Sequence, residues 1–254
     1  MKVTILQLNI VWSNPQENIR HAEHLIEQEP DSDLYILPEM WSTGFATNPK
    51  GIAEDEESSV ALHWMRMTAK SRQCAICGSL AIIENGIYRN RLYFINGRND
   101  SVQHYDKHHL FRHGGEDQFF SAGGEQCVVD YEGWRFLLLI CYDLRFPIWS
   151  RYSDKISYDA IICVANWPES RHNALQILSR ARAIENQAVM ICCNRVGEDH
   201  HSHYRGQSAI ISSIGRTLVS CQANIEDAVT CLLDIDEIKQ IRRKFNVLAD
   251  RDLF

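Results

Sequence analysis

Short apolar runs recur along this chain of 254 residues, and polar turns or amphipathic stretches separate them. Four of these runs are LYIL at 34–37, FLLLIC at 136–141, AIICVAN at 160–166 and AVMICCN at 188–194. Their length is that of β-strands, and strands buried on both faces need not alternate apolar and polar residues. None approaches the roughly 20 apolar residues that a membrane-spanning helix needs. The chain is therefore expected to form buried sheets, and no membrane partner is expected.

Amphipathic helix patterns lie between the apolar runs. Asn14-Pro15 supplies an N-cap and a first-turn proline, and the apolar residues that follow are spaced as one helical face. Further helices are predicted over about 58–72, from PIWSRYS at 147–153, in RHNALQILSRARAIENQ at 171–187, and at the end of the chain. Strands that alternate with helices favour an α/β fold class in which helices cover sheets.

Other strands are predicted from alternation and turn signals. Residues 3–10 alternate as a strand, and residues 74–83 and 88–96 are paired around an Asn85-Gly86 turn. SAIISSI at 208–214 and AVTCLLDID at 228–236 complete the strand-like segments. Because no linker rich in Pro, Gly or Ser divides the chain, one domain over residues 1–254 is expected.

The charge and the cysteine content narrow the class of protein. A formal net charge of -7 argues against nucleic acid as a partner, because phosphate binding needs a basic face. The nine cysteines are an odd number, and several lie inside apolar runs, where a free thiol behaves as a small hydrophobe. That usage suits a reducing cytoplasm, and the N-terminal stretch lacks the continuous apolar core of a signal peptide. A cytoplasmic location is expected.

Three of the predicted strands end in reactive side chains. Glu39 follows LYILP, Lys107 follows VQHYD, and Cys141 follows FLLLI. Ligands in layered α/β folds collect at strand ends, where loops place side chains around a cleft held by a rigid sheet. A carboxylate, an amine and a thiol in equivalent positions are therefore candidates for one shared pocket.

Each of the three residues also has an ordinary structural interpretation. A cysteine after an apolar run is usually a core residue, and a Pro-Glu pair after a strand is often a solvated turn. Lys107 beside Asp106 has the pattern of a surface ion pair. No single residue decides between the two interpretations, but the combination of the three favours a reactive site.

Several longer segments carry a resemblance to a known family. LPEMWSTGF at 37–45, YDKHHLF at 105–111 and LICYDLRFP at 139–147, in that order and at those separations, resemble the nitrilase superfamily of carbon–nitrogen hydrolases. The resemblance extends over nearly the whole chain through RARAIENQ at 180–187, CNRVG at 193–197 and YRGQS at 204–208. CYDLRFP and ANWP at 165–168 are most similar to the bacterial ω-amidase branch. The resemblance implies a four-layer α-β-β-α sandwich of the nitrilase type.

The resemblance also implies roles for the reactive residues. Glu39 is the expected general base for Cys141, whose sulfur attacks an amide carbonyl and then holds the acyl group as a thioester. Lys107 and the backbone N–H of Tyr142 are expected to stabilise the oxyanion. Glu116 matches the second glutamate that the family places near the lysine, where it orients Lys107 and the substrate nitrogen or the attacking water. No metal and no cofactor are expected, because protein groups supply the nucleophile, the base and the oxyanion donors.

Three residues near the motifs have two interpretations each. Arg145 contacts a substrate carboxylate, or it forms an ion pair with Asp143 that holds the loop. Trp167 and Phe45 wall the pocket, or they are ordinary packing residues. The sequence does not decide between these interpretations.

Two further motifs are assigned no function. Cys74-x-x-Cys77 has the spacing of a redox or zinc pair, but CAICGSLAII is a strand pattern that points the two thiols to opposite faces. Both cysteines are therefore expected in the core. The sequence HHSH at 200–203 is expected in an exposed loop, where nothing beyond adventitious metal binding is predicted.

The ω-amidase branch implies a substrate class and an assembly. The implied substrates are small dicarboxylic acid monoamides of the 2-oxoglutaramate or 2-oxosuccinamate type, hydrolysed to the acid and ammonia. Two alternatives stay open: the same chemistry on an N-carbamoyl amine, an aliphatic amide or a nitrile, and a catalytically silent interaction protein of this fold. Such proteins commonly pair through the helix after ANWP and the one after CYDLRFP, so a homodimer is expected.

Overall fold

The computed structural model describes residues 1–252 and contains four α-helices and fifteen strands in that range. The helices are α1 Pro15–Gln28, α2 Val60–Arg72, α3 His172–Asn186 and α4 Ile235–Lys244. The first eight strands are β1 Lys2–Gln7, β2 Leu34–Ile36, β3 Glu54–Asp55, β4 Ala75–Glu84, β5 Ile87–Asn96, β6 Ser101–Asp106, β7 Val128–Tyr131 and β8 Trp134–Ile140. The other strands are β9 Ala160–Ala165, β10 Val189–Asn194, β11 Val196–Glu198, β12 His203–Arg205, β13 Ala209–Ile211, β14 Thr217–Ser220 and β15 Asp227–Leu232.

The first sheet has seven strands in the order β15-β1-β2-β4-β5-β6, and the short β3 pairs with β4. β1, β2 and β4 are parallel to one another, whereas β4, β5 and β6 form an antiparallel meander. The predicted hairpin around Asn85-Gly86 is confirmed, with Glu84 opposite Ile87. β15 returns from the end of the chain to pair antiparallel with β1.

The second sheet has six strands in the order β14-β13-β10-β9-β8-β7. Its centre is formed by β8, β9 and β10, which are parallel. The carboxyl ends of these three strands therefore lie at one edge of the sheet, where following residues reach the same region. β11 and β12 form a separate two-stranded hairpin.

Three apolar layers hold the sheets and helices together. Between the sheets lie side chains of both, including Ile5, Phe94, Leu138 and Ile162. The outer face of the first sheet packs against α1 and α2, and the outer face of the second packs against α3. The order helix, sheet, sheet, helix confirms the predicted four-layer α/β sandwich.

The ends of the first two helices have the expected sequence signals. Asn14 is the N-cap of α1 and its side chain accepts a hydrogen bond from the backbone N–H of Glu17. Ser59 caps α2 in the same way, by accepting from the backbone N–H of Leu62. The predicted helix over 58–72 is therefore confirmed with a first residue at Val60.

The prediction of a helix at PIWSRYS, residues 147–153, is wrong. This segment forms turns and irregular backbone, and the 3₁₀ helix of this region precedes it at Cys141–Arg145. Its backbone carbonyls accept hydrogen bonds from side chains: Trp149 O from Gln126, and Ser150 O from the Tyr158 hydroxyl. The backbone N–H groups of Tyr152 and Ser153 donate to Asn186 Oδ1 and to the carbonyl of Ile156, so they are not available to a helical ladder, and the apolar spacing of the segment does not produce a helix.

The predicted strand SAIISSI at 208–214 is shortened to Ala209–Ile211. The register shifts between Ile210 and Ile211, and Ser212 then bonds Arg216 across a turn that contains Gly215. The sequence does not predict strands β3, β7, β11, β12 and β14, which have two to four residues each and do not belong to a longer apolar run. In the described part of the chain, no helix has the length and apolarity needed to cross a membrane.

Candidate active site

Strand ends from both sheets bring the reactive side chains to one cavity. Glu39 lies shortly after β2, and Lys107 directly follows β6 in the same sheet. Cys141 directly follows β8 in the second sheet. Lys107 and Cys141 both line a cavity of about 320 Å³. The structure therefore places the amine and the thiol at one pocket, as the strand-end argument predicts.

The Lys107 ammonium binds two carboxylates. Its Nζ donates to Glu39 Oε1 at 2.8 Å and to Glu116 Oε2 at 2.9 Å. The side chain of Lys107 is 1% exposed, and those of Glu39 and Glu116 are fully buried. Buried carboxylates and ammonium groups are stable only when they are paired and hydrogen-bonded. The three groups therefore form one buried cluster with two potential negative charges and one positive charge.

Asn90 connects the two carboxylates and was missed by the sequence analysis. Its Nδ2 donates to Glu39 Oε1 at 2.8 Å and to Glu116 Oε1 at 3.1 Å. Its Oδ1 in turn accepts from the Ser79 hydroxyl at 3.0 Å, which fixes the orientation of the amide. Asn90 lies in β5, inside a regular strand, so no strand-end signal marks it.

Each charged group of the cluster shifts the pKa of its neighbours. Burial alone lowers the pKa of Lys107, but Glu116 and Glu39 outweigh burial and hold this pKa above its ordinary value. Lys107 is therefore a cation at neutral pH. Burial raises the pKa of Glu116, and the charge of Glu39 acts in the same direction while Lys107 opposes it.

The Cys141 thiol is protonated in the resting site. Burial raises its pKa well above the ordinary value, and the neighbouring Glu39 carboxylate raises it further. Lys107 and the backbone N–H of Asn166 act in the opposite direction but are smaller effects. Because a neutral thiol is a weak nucleophile, this site needs a base that accepts the proton during attack.

The backbone at Cys141 is in a conformation that is rare for residues with a side chain. Its φ is 44°, in the left-handed region, and the residue begins the 3₁₀ helix Cys141–Arg145. A non-glycine residue held there costs on the order of 1–3 kcal/mol and persists only when surrounding contacts impose it. Such strain is concentrated at functional sites, which is consistent with a thiol displayed at a sharp strand-to-helix turn.

Asn166 connects the second sheet to Glu39. It follows β9 in the motif ANWP, and its backbone N–H donates to Glu39 Oε2 at 2.9 Å. Its side-chain Nδ2 donates to the backbone carbonyl of Glu39 at 2.7 Å. The strand-end rule that identified Cys141 also applies to Asn166, but the sequence analysis assigned it no role.

Aromatic side chains form much of the cavity wall. Phe45, Tyr142 and Trp167 all line it, and the Lys107 Nζ lies 5.2 Å from the centre of the Phe45 ring. Trp167 also packs in the core under α3, so it is both a wall and a packing residue. The backbone N–H of Trp167 donates to Asn194 Oδ1 at 2.8 Å, which fixes this part of the wall.

Arg145 lies at the cavity and does not pair with Asp143. Its guanidinium carbon lies 4.8 Å from the centre of the Trp167 ring, whereas Asp143 pairs with His109 at 2.9 Å. The ion-pair interpretation of Arg145 is therefore wrong. In the part of the chain that the structure describes, Arg145 forms no ion pair, and its N–H donors remain for a ligand.

The cavity also contains residues that the sequence analysis missed. Arg171 lines it, with its guanidinium carbon 5.3 Å from the centre of the Phe111 ring. Asp199 and Tyr204 line it as well and are joined by a hydrogen bond of 2.6 Å. Arg171 ends the 3₁₀ helix Glu169–Arg171, Tyr204 lies in β12 and Asp199 lies in the turn before it, and segments this short carry no periodicity that marks a functional position.

The two motifs without an assigned function lie as predicted. Cys74 packs in the layer under α1 and α2, whereas Cys77 packs between the sheets, so the two thiols do point to opposite faces. His200 and His201 are exposed in the loop between β11 and β12. Within residues 1–252, no group of three or more His, Cys, Asp or Glu side chains has the geometry of a metal site.

The comparisons with known proteins agree on one family. The model of the carbon–nitrogen hydrolase family matches residues 2–243. The chain is 38% identical over 255 residues to omega-amidase YafV of Yersinia enterocolitica, covering 100% of this chain and 98% of the relative. It is 34% identical over 260 residues to 2-oxoglutaramate amidase of Bacillus subtilis, covering all of both chains.

A solved structure is similar over the whole chain. The protein XC1258 of Xanthomonas campestris, a CN-hydrolase superfamily protein crystallised with an arsenic adduct in its active site, superimposes with a TM-score of 0.95. The two chains are 34% identical, and the match covers 100% of this chain and 98% of the other. The fold described above is therefore shared with a solved member of that superfamily.

Proposed function

Since the chain belongs to the carbon–nitrogen hydrolase family, we propose that it is an amidase that hydrolyses the terminal amide of a small dicarboxylic acid monoamide. The substrates are of the 2-oxoglutaramate or 2-oxosuccinamate type, and the products are the dicarboxylic acid and ammonia. The observation that carries the proposal is the buried cluster of Lys107 with Glu39 and Glu116 beside the Cys141 thiol.

In the first step, the Cys141 sulfur attacks the amide carbonyl carbon. Glu39 accepts the thiol proton as the sulfur–carbon bond forms, because the thiol is neutral in the resting site. The carbonyl oxygen becomes an oxyanion, which the Lys107 ammonium and the backbone N–H of Tyr142 stabilise. The permanent charge of Lys107 makes it a stronger donor to the oxyanion than a neutral amide.

In the second step, the tetrahedral intermediate collapses and the carbon–nitrogen bond breaks. Glu39 returns its proton to the nitrogen, so ammonia leaves and a thioester remains on Cys141. Glu39 then accepts a proton from water as the water oxygen attacks the thioester carbon. Collapse of this second intermediate breaks the carbon–sulfur bond and releases the acid, and the proton on Glu39 returns to the sulfur to restore the thiol on Cys141.

Glu116 acts as a positioning residue for the lysine. Both of its carboxylate oxygens contact Lys107 Nζ, at 3.1 and 2.9 Å, and the backbone N–H of Phe111 donates to its Oε2 at 2.6 Å. A lysine held by two carboxylates loses little entropy when it binds the oxyanion. From this position Glu116 also orients the substrate nitrogen or the attacking water.

The carboxylate of the substrate binds to Arg145 and Arg171. Both guanidinium groups lie against aromatic rings at the cavity, and the acidic residues nearest them in sequence bind histidines: Asp143 binds His109, and Glu169 binds His203. Planar, weakly hydrated guanidinium groups are suited to bidentate recognition of a carboxylate. The volume of about 320 Å³ is suited to a short acyl chain.

The proposal is tested by ammonia release from a panel of short amides. Purified protein is expected to release ammonia from 2-oxoglutaramate or 2-oxosuccinamate far faster than from an uncharged aliphatic amide, an N-carbamoyl amine or an aliphatic nitrile. Cys141→Ala is expected to release none, and Cys74→Ala, a matched change at a buried cysteine in the layer under α1 and α2, is expected to retain activity. Faster turnover of a nitrile or of an N-carbamoyl amine would overturn the substrate assignment.

The protein acts as a cytoplasmic homodimer in this proposal. α3 buries Leu175 and Ala183 against the second sheet, whereas Ile177 and Ile184 on the same helix are 57% and 51% exposed. Ile148, in the segment after CYDLRFP, is 73% exposed. Apolar residues on the outer side of a helix layer are typical of a surface that a second subunit covers.

A further inference from the structure

Asp143 lies two residues after the nucleophile and is fully buried. Its Oδ2 accepts from the Tyr105 hydroxyl at 2.8 Å and from the backbone N–H of Ile140 at 3.0 Å. Its Oδ1 lies 2.9 Å from both the backbone N–H and the ring Nδ1 of His109. Each carboxylate oxygen of Asp143 therefore has two hydrogen-bond contacts.

The residues joined by these hydrogen bonds flank Lys107 and Cys141 in the sequence. Tyr105 and His109 are each two residues from Lys107, one before it and one after it. Ile140 immediately precedes Cys141, and Asp143 itself follows it. One carboxylate thus ties the segment that carries the amine in the first sheet to the segment that carries the thiol in the second.

Stacked rings reinforce the same connection. The His108 ring lies parallel to that of Trp149 with 3.7 Å between ring centres, and the His109 ring lies parallel to that of Phe146 at 3.8 Å. Trp149 Nε1 also donates to the Tyr105 hydroxyl at 2.9 Å. The lysine segment and the segment after the thiol are therefore joined by polar and aromatic contacts together.

The thiol requires such a connection because its backbone is strained. The positive φ of Cys141 persists only if neighbouring contacts hold the backbone on either side of it. The bond from the Ile140 N–H to Asp143 closes the turn around Cys141, and the bonds to Tyr105 and His109 fix that turn relative to Lys107.

We propose that Asp143 is a positioning residue, whose four hydrogen-bond contacts hold the Cys141 sulfur and the Lys107 ammonium in register across the two sheets. The inference rests on the proposed function, in which these two groups act on one carbonyl. Asp143 is fully buried beneath the turn and acts through its neighbours, without contact to the substrate.

The test variant is Asp143→Asn, which keeps the shape of the side chain. It replaces one acceptor oxygen by an NH₂ group, which then faces the backbone N–H of Ile140 or of His109 instead of accepting from it. The matched control is Asp159→Asn. Asp159 accepts from the backbone N–H of Arg135 at 3.1 Å and from Arg242 at 3.3 Å, and it precedes β9 at the strand end opposite the site.

A positioning role predicts a change in kcat with little change in KM. Misplacement of reacting groups by about 1 Å can reduce the rate by about 100-fold, so Asp143→Asn is expected to lower kcat for 2-oxoglutaramate by about 10- to 100-fold. KM is expected to change by less than about threefold, because the groups that bind the substrate are retained. Asp159→Asn is expected to keep wild-type kcat and KM per folded molecule.

The outcomes separate positioning from general stability. An Asp143→Asn protein with wild-type kcat per folded molecule, determined together with its melting temperature, would overturn the proposal. If that variant does not fold, Tyr105→Phe serves instead, since it removes the hydroxyl that donates to Asp143 at 2.8 Å and accepts from Trp149 Nε1 at 2.9 Å, and it is expected to lower kcat by about tenfold. Wild-type kcat in that variant would also overturn it.

A substrate-independent measurement distinguishes failure of this inference from failure of the proposed function. The labelling rate of Cys141 by iodoacetamide is expected to differ between Asp143→Asn and Asp159→Asn by about threefold or more, because thiol reactivity depends on the placement of its neighbours. If the wild-type protein hydrolyses no amide, the proposed function fails, and equal labelling rates in the two variants would then overturn the positioning role.

Discussion

Lys107→Met tests both the electrostatics of the site and the role of the lysine. The substitution keeps an unbranched apolar side chain in a position that is 1% exposed but removes the charge. Glu39 and Glu116 are fully buried, and the lysine cation stabilises both. Without it, the cluster contains two buried carboxylates joined only by the Asn90 amide.

Lys107→Met is expected to lower the free energy of unfolding, because it removes the cation that pairs with two buried carboxylates. Removal of one partner from a buried ion pair typically costs about 3–5 kcal/mol, because the other charge is left uncompensated. Proton uptake limits this loss, and Glu116 is the group that takes up the proton because burial already raises its pKa. Loss of an oxyanion donor is expected to lower kcat by about 10²- to 10³-fold in addition.

The double variant Lys107→Met/Glu116→Gln separates the two effects. It contains one buried carboxylate fewer, so about 2 kcal/mol or more of the lost free energy of unfolding is expected to return. Its kcat is expected to stay as low as that of Lys107→Met, because the oxyanion donor is still missing. Urea unfolding followed by fluorescence measures the first quantity, and ammonia release measures the second.

The pH dependence of the free energy of unfolding tests the charge argument, because its direction follows from the raised pKa of Glu116. A carboxyl group with a raised pKa in the folded state binds a proton that the unfolded state has released, so stability falls as pH rises above the ordinary pKa. The gap in stability between Lys107→Met and the wild type is therefore expected to widen from pH 5 to pH 8. A gap that stays constant, or a double variant as unstable as the single one, would refute the charge argument. A Lys107→Met protein with normal kcat would refute the role of the lysine.

The remaining predictions concern other parts of the site and the surface. Asn90→Leu is expected to lower kcat by about tenfold and the free energy of unfolding by about 1–3 kcal/mol, measured by ammonia release and urea unfolding, because two buried carboxylates lose a donor. Arg145→Gln is expected to raise KM for 2-oxoglutaramate by about tenfold or more and to change turnover of an uncharged amide little. Mass spectrometry after brief iodoacetamide treatment is expected to find Cys141 labelled first, since the other eight cysteines lie outside the cavity. Ile177→Glu is expected to convert the proposed homodimer to a monomer in light scattering, since it places a charge on the exposed face of α3.

Much of the candidate site is predictable from the ends of strands in the sequence. Apolar strand runs with abrupt polar ends identify Glu39, Lys107 and Cys141, and the structure places all three where strands of the two sheets end. The same argument does not find Asn90, which lies within β5, because a polar residue inside a strand has no local signal of its partner. Its function depends on contacts with residues 26 and 51 positions away in sequence.

The errors in the fold prediction have a similar cause. Helix α1 was predicted correctly because Asn14 and the apolar stripe are local signals, and the cap bond lies within four residues. The segment 147–153 has comparable apolar spacing, but Gln126 and Tyr158 bind its carbonyls from elsewhere in the chain. A local pattern predicts structure only where the backbone hydrogen bonds are also local.

Because the candidate site is divided between two sheets, the proposed mechanism depends on the relative position of the sheets. The first sheet supplies Glu39 and Lys107, and the second supplies Cys141. Apolar packing between the sheets is not directional, so it does not prevent one sheet from sliding against the other by a fraction of an ångström. Polar contacts with defined geometry are therefore needed at the sheet edge. Asn166 provides one set by binding Glu39 through both its backbone and its side chain, and Asp143 provides the other beneath the lysine segment. Because these contacts reach two different segments of the first sheet, Glu39 after β2 and the residues around Lys107 at the end of β6, together they restrict both translation and rotation of one sheet against the other.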